Sequence, residues 1–132
     1  MIVDSSALIA VLRGEPEADR FAELMLSGPA RISAANWLEA AMVAHDQLGA
    51  AGDVLLDRLV AESGVDIEPV SVEQARRARL AFTRYGRGSG SPARLNFGDC
   101  LAYALSSVTG EPLLFKGDDF THTDVLRVNG PA

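Results

Sequence analysis

Apolar and polar positions along this chain follow two rhythms, short β-like runs and longer stretches whose apolar residues recur at helical spacing. Met1-Ile2-Val3 is an apolar run that ends in Asp4. Ser5-Ser6 then leads into Ala7 to Leu12, the pattern of a buried strand passing straight into a helix. Gly14-Glu15-Pro16 breaks that helix, and Pro16 starts a second one through Phe21, Leu24, Met25 and Leu26, stopped by Gly28-Pro29. Arg31 to Ser33 reads as a short strand, and Ser33 opens a helix over Ala34 to Leu48. A further helix spans Ala50 to Glu62, with Leu55, Leu56, Leu59 and Val60 on one side. Val65 to Val70 carries β-branched residues, after which Ser71-Val72-Glu73-Gln74 opens a helix in the manner of a capping box. That helix fades into a Gly/Ser/Pro loop from Tyr85 to Ala93. Asn96 to Val108 is helical, Leu113 to Phe115 is a buried strand, and Asp124 to Val128 is a last short strand. Strands separated by helices imply an α/β fold of three layers, with a central, mainly parallel sheet flanked by helices. Phe21, Leu24, Met25, Leu26 and Trp37 read most simply as core, or in part as a partner surface.

The chain has 132 residues, 48% hydrophobic and 23% charged, which suits one domain over 1–132 with a single core. A net charge of −6 argues against a protein that coats nucleic acid through its overall field, while leaving room for a local basic patch. The single cysteine, Cys100, fits a reducing compartment. No basic leader precedes the first apolar run and no run is long enough to span a membrane, so a cytoplasmic location is expected.

Several carboxylates stand in unusual places. Asp4 lies at the carboxyl end of the first strand, where ligands gather in open α/β sheets, although it or Ser5 could equally cap the helix. Glu39 has Ala35, Met42 and Val43 as helical neighbours, an apolar setting for an acid unless its carboxylate reaches out to water. Asp99 falls in the first turn of its helix, which capping and the helix dipole also favour. Asp118 and Asp119 follow the Leu113 to Phe115 strand through Lys116-Gly117, in a turn where acids commonly only face solvent. A parallel sheet can bring these positions to one edge. Two carboxylates about 4 Å apart repel by roughly 4 kcal/mol at an effective dielectric near 20, so such a group calls for a cation. Oxygen donors without His or Cys partners select Mg²⁺ or Mn²⁺ over Zn²⁺, and neither His45 nor His122 has a partner at zinc-ligand spacing.

Four segments carry a resemblance: Met1 to Leu8, Ser33 to Glu39, Asn96 to Ala104, and Leu113 to Phe120. In order and spacing they resemble the successive motifs of the PIN domain, and more closely those of VapC-type toxins of bacterial toxin-antitoxin systems. The resemblance implies a Mg²⁺- or Mn²⁺-dependent endoribonuclease with Asp4, Glu39, Asp99 and Asp118 as its acids. Asp119 competes with Asp118 for the fourth place. On this basis Asp4 and Asp99 hold the metal directly, Glu39 and Asp118 hold its waters or a second ion, and Ser6 either supports a ligating carboxylate or caps the helix. The resemblance also implies a homodimer restrained by a cognate antitoxin whose tail fills the active-site groove, with Trp37 as a candidate lip.

An acidic site needs help to attract RNA. Arg76, Arg77, Arg79, Arg84, Arg87 and Arg94 make up half of the chain's 12 Lys and Arg residues, with no carboxylate among them. Arg84, Tyr85, Arg87 and Arg94 are therefore candidate RNA contacts, Tyr85 by stacking on an unpaired base. A solvated basic helix face is the alternative. Two other functional classes remain, a receiver-like signalling domain and a catalytically silent binding module. The receiver needs a phosphoacceptor at a mid-chain strand end, and Asp53 and Asp57 fall instead in a helical pattern. No glycine pattern of the dinucleotide-binding kind follows the first strand.

Overall fold

The computed structural model describes residues 1–128. Its sheet has four parallel strands in the order β3-β2-β1-β4: β1 (Ile2–Val3), β2 (Ala30–Ser33), β3 (Val65–Glu68) and β4 (Leu113–Leu114). Six helices connect them: α1 (Ser5–Leu12), α2 (Ala18–Leu26), α3 (Ala34–Leu48), α4 (Ala50–Ser63), α5 (Val72–Tyr85) and α6 (Phe97–Thr109). A 3₁₀ turn follows at Asp119–His122. Side chains alternate across the short inner strands, so each face feeds a separate apolar layer. Val3 and Leu114 join Leu8, Met25, Ile32 and Leu56 on the side of α1 to α4. Ile2 and Leu113 join Leu95, Leu101 and Leu105 on the side of α5 and α6. These layers are the α/β/α arrangement expected from the pattern.

Boundaries differ where side chains stop being covered. Residues of β3 pair with β2 only through Glu68, and β4 ends at Leu114, so Val70 and Phe115 lie outside the strands. The final segment meets the sheet at one bridge, Leu113 to Arg127, rather than as a strand over Asp124 to Val128. Helix α2 begins at Ala18, and Leu26 at its end is 65% exposed instead of core, whereas Phe21 and Met25 are buried. Ser71 caps α5 by accepting from the Gln74 N–H at 3.0 Å, but the reciprocal half of a capping box is not made there. The complete box is at α6, between Asn96 and Asp99.

Strand order places the functional edge. From the central β1, the chain adds β2 on one side and later β4 on the other. At such a switch point the connections leave in opposite directions and open a crevice outside the carboxyl ends of the strands. Asp4 stands directly at that point, its N–H donating to the Leu114 carbonyl at 2.9 Å.

Candidate active site

Asp4 leaves β1 with extended backbone and caps α1. Its Oδ2 accepts from the Ser6 N–H at 3.1 Å and from the Ser6 hydroxyl at 2.5 Å. Ser6 Oγ in turn accepts from the Lys116 N–H at 3.0 Å, which ties the start of α1 to the segment leaving β4. Capping therefore engages one carboxylate oxygen and leaves the other, Oδ1, buried and without a hydrogen-bond partner. Asp99 repeats the arrangement at the third position of α6: its Oδ2 accepts from the Asn96 N–H at 3.1 Å while Asn96 Oδ1 accepts from the Asp99 N–H at 2.9 Å. Both acids thus use one carboxylate oxygen, Oδ2, in a helix cap.

Glu39 approaches from α3. The Ser5 hydroxyl donates to its Oε1. Its carboxylate rests against the first turn of α6, where a Cβ on Gly98 would come within 2.4 Å of Oε2. Met42, expected as an apolar neighbour, is 60% exposed, so Glu39 is placed by Ser5 and Gly98 and not by an apolar helix face.

Electrostatics join the three acids. Burial raises the Asp4 carboxyl from 3.8 to about 7; the Ser6 hydrogen bonds oppose the rise, and the charges of Asp99 and Glu39 add to it. Asp99 is also raised, chiefly by burial, opposed by its Asn96 hydrogen bond, pushed further by Asp119 and Glu39, and relieved in part by Arg87. Of the neighbouring pair Asp118 and Asp119, it is Asp119 whose charge acts on Asp99. Both are exposed; Asp118 precedes the 3₁₀ turn and Asp119 begins it.

Among the described residues, no three Asp, Glu, His or Cys side chains are grouped closely enough to enclose an ion by themselves. A pair of carboxylates completed by water is nevertheless how Mg²⁺ is ordinarily held, because it dehydrates reluctantly. The buried, unpartnered Asp4 Oδ1 and an all-oxygen donor set fit a hard divalent cation.

The basic arm is rearranged relative to expectation. Tyr85 is only 7% exposed and packs on Tyr103 with ring centroids 5.8 Å apart, so its ring is not available to stack on a base. Arg84 lies over the Tyr85 ring and pairs with Asp124 at 3.6 Å. The loop carrying Arg87 and Arg94 is tied at its base, where the Arg87 N–H donates to Leu95 O and the Leu95 N–H to Tyr85 O. Arg87 and Arg94 are exposed. Trp37 packs against the first apolar layer and does not form a lip beside Glu39. Asp53 and Asp57 lie on exposed faces of α4, so neither occupies a receiver's phosphoacceptor position. No pattern in the chain singles out Asn36, which is fully buried and donates from Nδ2 to the Gly98 carbonyl at 2.9 Å.

The family model of the PIN domain matches residues 1–126. The chain belongs to the PIN-domain family. Within that family its relatives are VapC proteins. Ribonuclease VapC42 of Mycobacterium tuberculosis is 48% identical over 126 residues, covering 95% of this chain and 96% of the relative. Ribonuclease VapC28 of the same organism is 49% identical over 128 residues, covering 96% of each. Among solved structures, Mycobacterium tuberculosis VapC20, described as a sarcin-ricin loop cleaving toxin, superposes with a TM-score of 0.75 at 18% identity, over 96% of this PIN domain and 97% of that chain. A toxin-antitoxin complex from Klebsiella pneumoniae gives 0.70 at 20% identity, over 96% and 95%. At these identities the two structures speak for the fold alone.

Proposed function

We propose that this PIN domain is a Mg²⁺- or Mn²⁺-dependent endoribonuclease, the toxin of a toxin-antitoxin pair, working in the cytoplasm. The observation that carries the metal site is Asp4 Oδ1, a buried acceptor with no partner, whose charged neighbours are the two acids Asp99 and Glu39. Asp4, through the oxygen its cap leaves free, and Asp99 would hold the ion. A bound divalent ion lowers the pKa of water and offsets negative charge on a phosphate. Glu39, fixed through Oε1 by Ser5, would have Oε2 to orient or deprotonate an attacking water. We assign the fourth acid to Asp119 in place of Asp118, because Asp119 is the one that acts on Asp99. Ser6 joins Asp4 to the β4 exit and so fixes the distance between the two halves of the site.

Arg87, exposed and within electrostatic reach of Asp99, meets an RNA phosphate, with Arg94 on the same loop. Arg84 contributes less because Asp124 already pairs with it. Reversing the charge at Arg87 is expected to weaken RNA binding and lower its salt slope by about one. An antitoxin and a second copy of the chain are the protein partners of this reading. The apolar groove of about 770 Å³ lined by Ala35, Val70, Ala75, Phe82, Phe97 and Leu101 supports it, since a contiguous apolar surface of this kind favours protein contact. The groove is lined by none of the four acids, so a protein bound there would leave the acidic edge open.

The test is RNA cleavage by Asp4→Asn and Asp99→Asn, each shown to be folded. A loss of about 10³-fold or more is expected in both. Full activity in either ends the proposal.

A further inference from the structure

Asn36 lies one turn before Glu39 on α3, and the carbonyl it bonds belongs to the residue before Asp99. That carbonyl is inside α6, where the helix ladder already supplies a partner, so the amide does not rescue an orphan acceptor. Asn36 Oδ1 has no partner of its own. Burying an unsatisfied amide oxygen costs about 1–3 kcal/mol, which an apolar side chain of similar size avoids. As a source of stability the contact is therefore poor. Its geometric effect is to join the helices bearing Glu39 and Asp99 close to both acids. Gly98 contributes the other half, because a side chain there would collide with the Glu39 carboxylate.

We propose that the Asn36–Gly98 contact is a spacer that holds the Glu39 and Asp99 carboxylates, against their mutual repulsion, at a separation suited to a shared divalent ion and its waters. Asn36 is thus a positioning residue. The inference rests on the metal-site reading above. The amide pins the first turn of α6 to α3, and the missing Cβ lets Glu39 lie against that turn. Loss of either half lets the two acids separate.

The experiment is calorimetric titration of Mn²⁺ into the full chain, as wild type, Asn36→Leu and Gly98→Ala, with melting of each in EDTA. Both variants are expected to bind Mn²⁺ about 10- to 100-fold more weakly. The metal-free melting temperature of Asn36→Leu stays equal or rises, since Leu removes a buried orphan, and that of Gly98→Ala stays near wild type, because the atoms its Cβ meets are the movable end of the Glu39 side chain and Ala favours the helix. RNA cleavage by the variants recovers as Mn²⁺ is raised, with KM for RNA unchanged. Wild-type Mn²⁺ affinity in both variants overturns the proposal, as does a loss of binding that merely follows a lowered metal-free melting temperature. If Asn36→Leu does not fold, Gly98→Ala decides by the same two criteria. Absence of Mn²⁺ binding in the wild type instead overturns the metal-site reading, and the spacer with it.

Discussion

Glu111, just before β4, and Asp4, just after β1, are both carboxylates at strand ends, yet Glu111 receives the Arg31 guanidinium while Asp4 faces Glu39 and Asp99. Arg31 also reaches Glu68 at 3.5 Å, so its end of the sheet is charge-compensated. Lys116 sharpens the contrast. Its backbone N–H bonds Ser6 beside Asp4, but its ammonium turns to Glu15 and, at 3.4 Å, to Glu17. A cation stands near the acidic edge and is directed away from it. Carboxylates paired within the protein serve the fold, whereas a buried carboxylate left among like charges needs a proton or a cation from outside.

The largest effect expected within the acidic edge, after loss of Asp4 or Asp99, separates two adjacent residues. Asp119→Asn should lower RNA cleavage about 10-fold or more, while Asp118→Asn stays within about twofold of wild type. Equal losses would remove the distinction drawn from the charge acting on Asp99. A smaller effect is read in stability. Because burial lifts Asp4 from 3.8 to about 7, the folded chain keeps a proton that the unfolded chain releases between those values. The stabilisation is full below pH ~4 and lost as pH rises towards about 7. Metal-free wild type should therefore melt several °C lower at pH 8 than at pH 5.5, measured relative to Asp4→Asn. A constant gap between the two melting curves would contradict the burial argument. The smallest effect belongs to the compensated end. Arg31→Gln removes two partly exposed ion pairs, each worth about 1 kcal/mol or less, and should leave cleavage unchanged. A collapse of activity there would break the division between the two ends.

The alternation of strands and helices, and hence the layered sheet, was legible because Ile2-Val3 and Leu113-Leu114 are apolar on both faces and need cover on both sides. Asp4 and Asp99 were legible by position, one at a strand end and one in a first helical turn. Both acids do cap their helices, and at Asp4 the cap engages one oxygen and leaves the other buried without a partner. Glu39 was singled out for its apolar helix neighbours, whereas Ser5 and the bare backbone of Gly98 place it, both contacts between segments distant in sequence. Asn36 was invisible for the same cause: a helical asparagine carries no local sign that it is buried against another helix. Tyr85 misled because an aromatic among arginines resembles a stacking platform, while packing on Tyr103 takes its ring into the core. The choice between Asp118 and Asp119 depends on how a short 3₁₀ turn aims adjacent side chains, which neither composition nor spacing encodes.

The central claim is that remote acids meet at the carboxyl edge of the sheet to hold a divalent ion, and titrating Mn²⁺ into wild type and Asp4→Asn by calorimetry at pH 8 tests it most directly. Saturable binding by the wild type, weakened at least about 10-fold in a folded Asp4→Asn, is the expected result. Identical titrations, or no binding by the wild type, would contradict it.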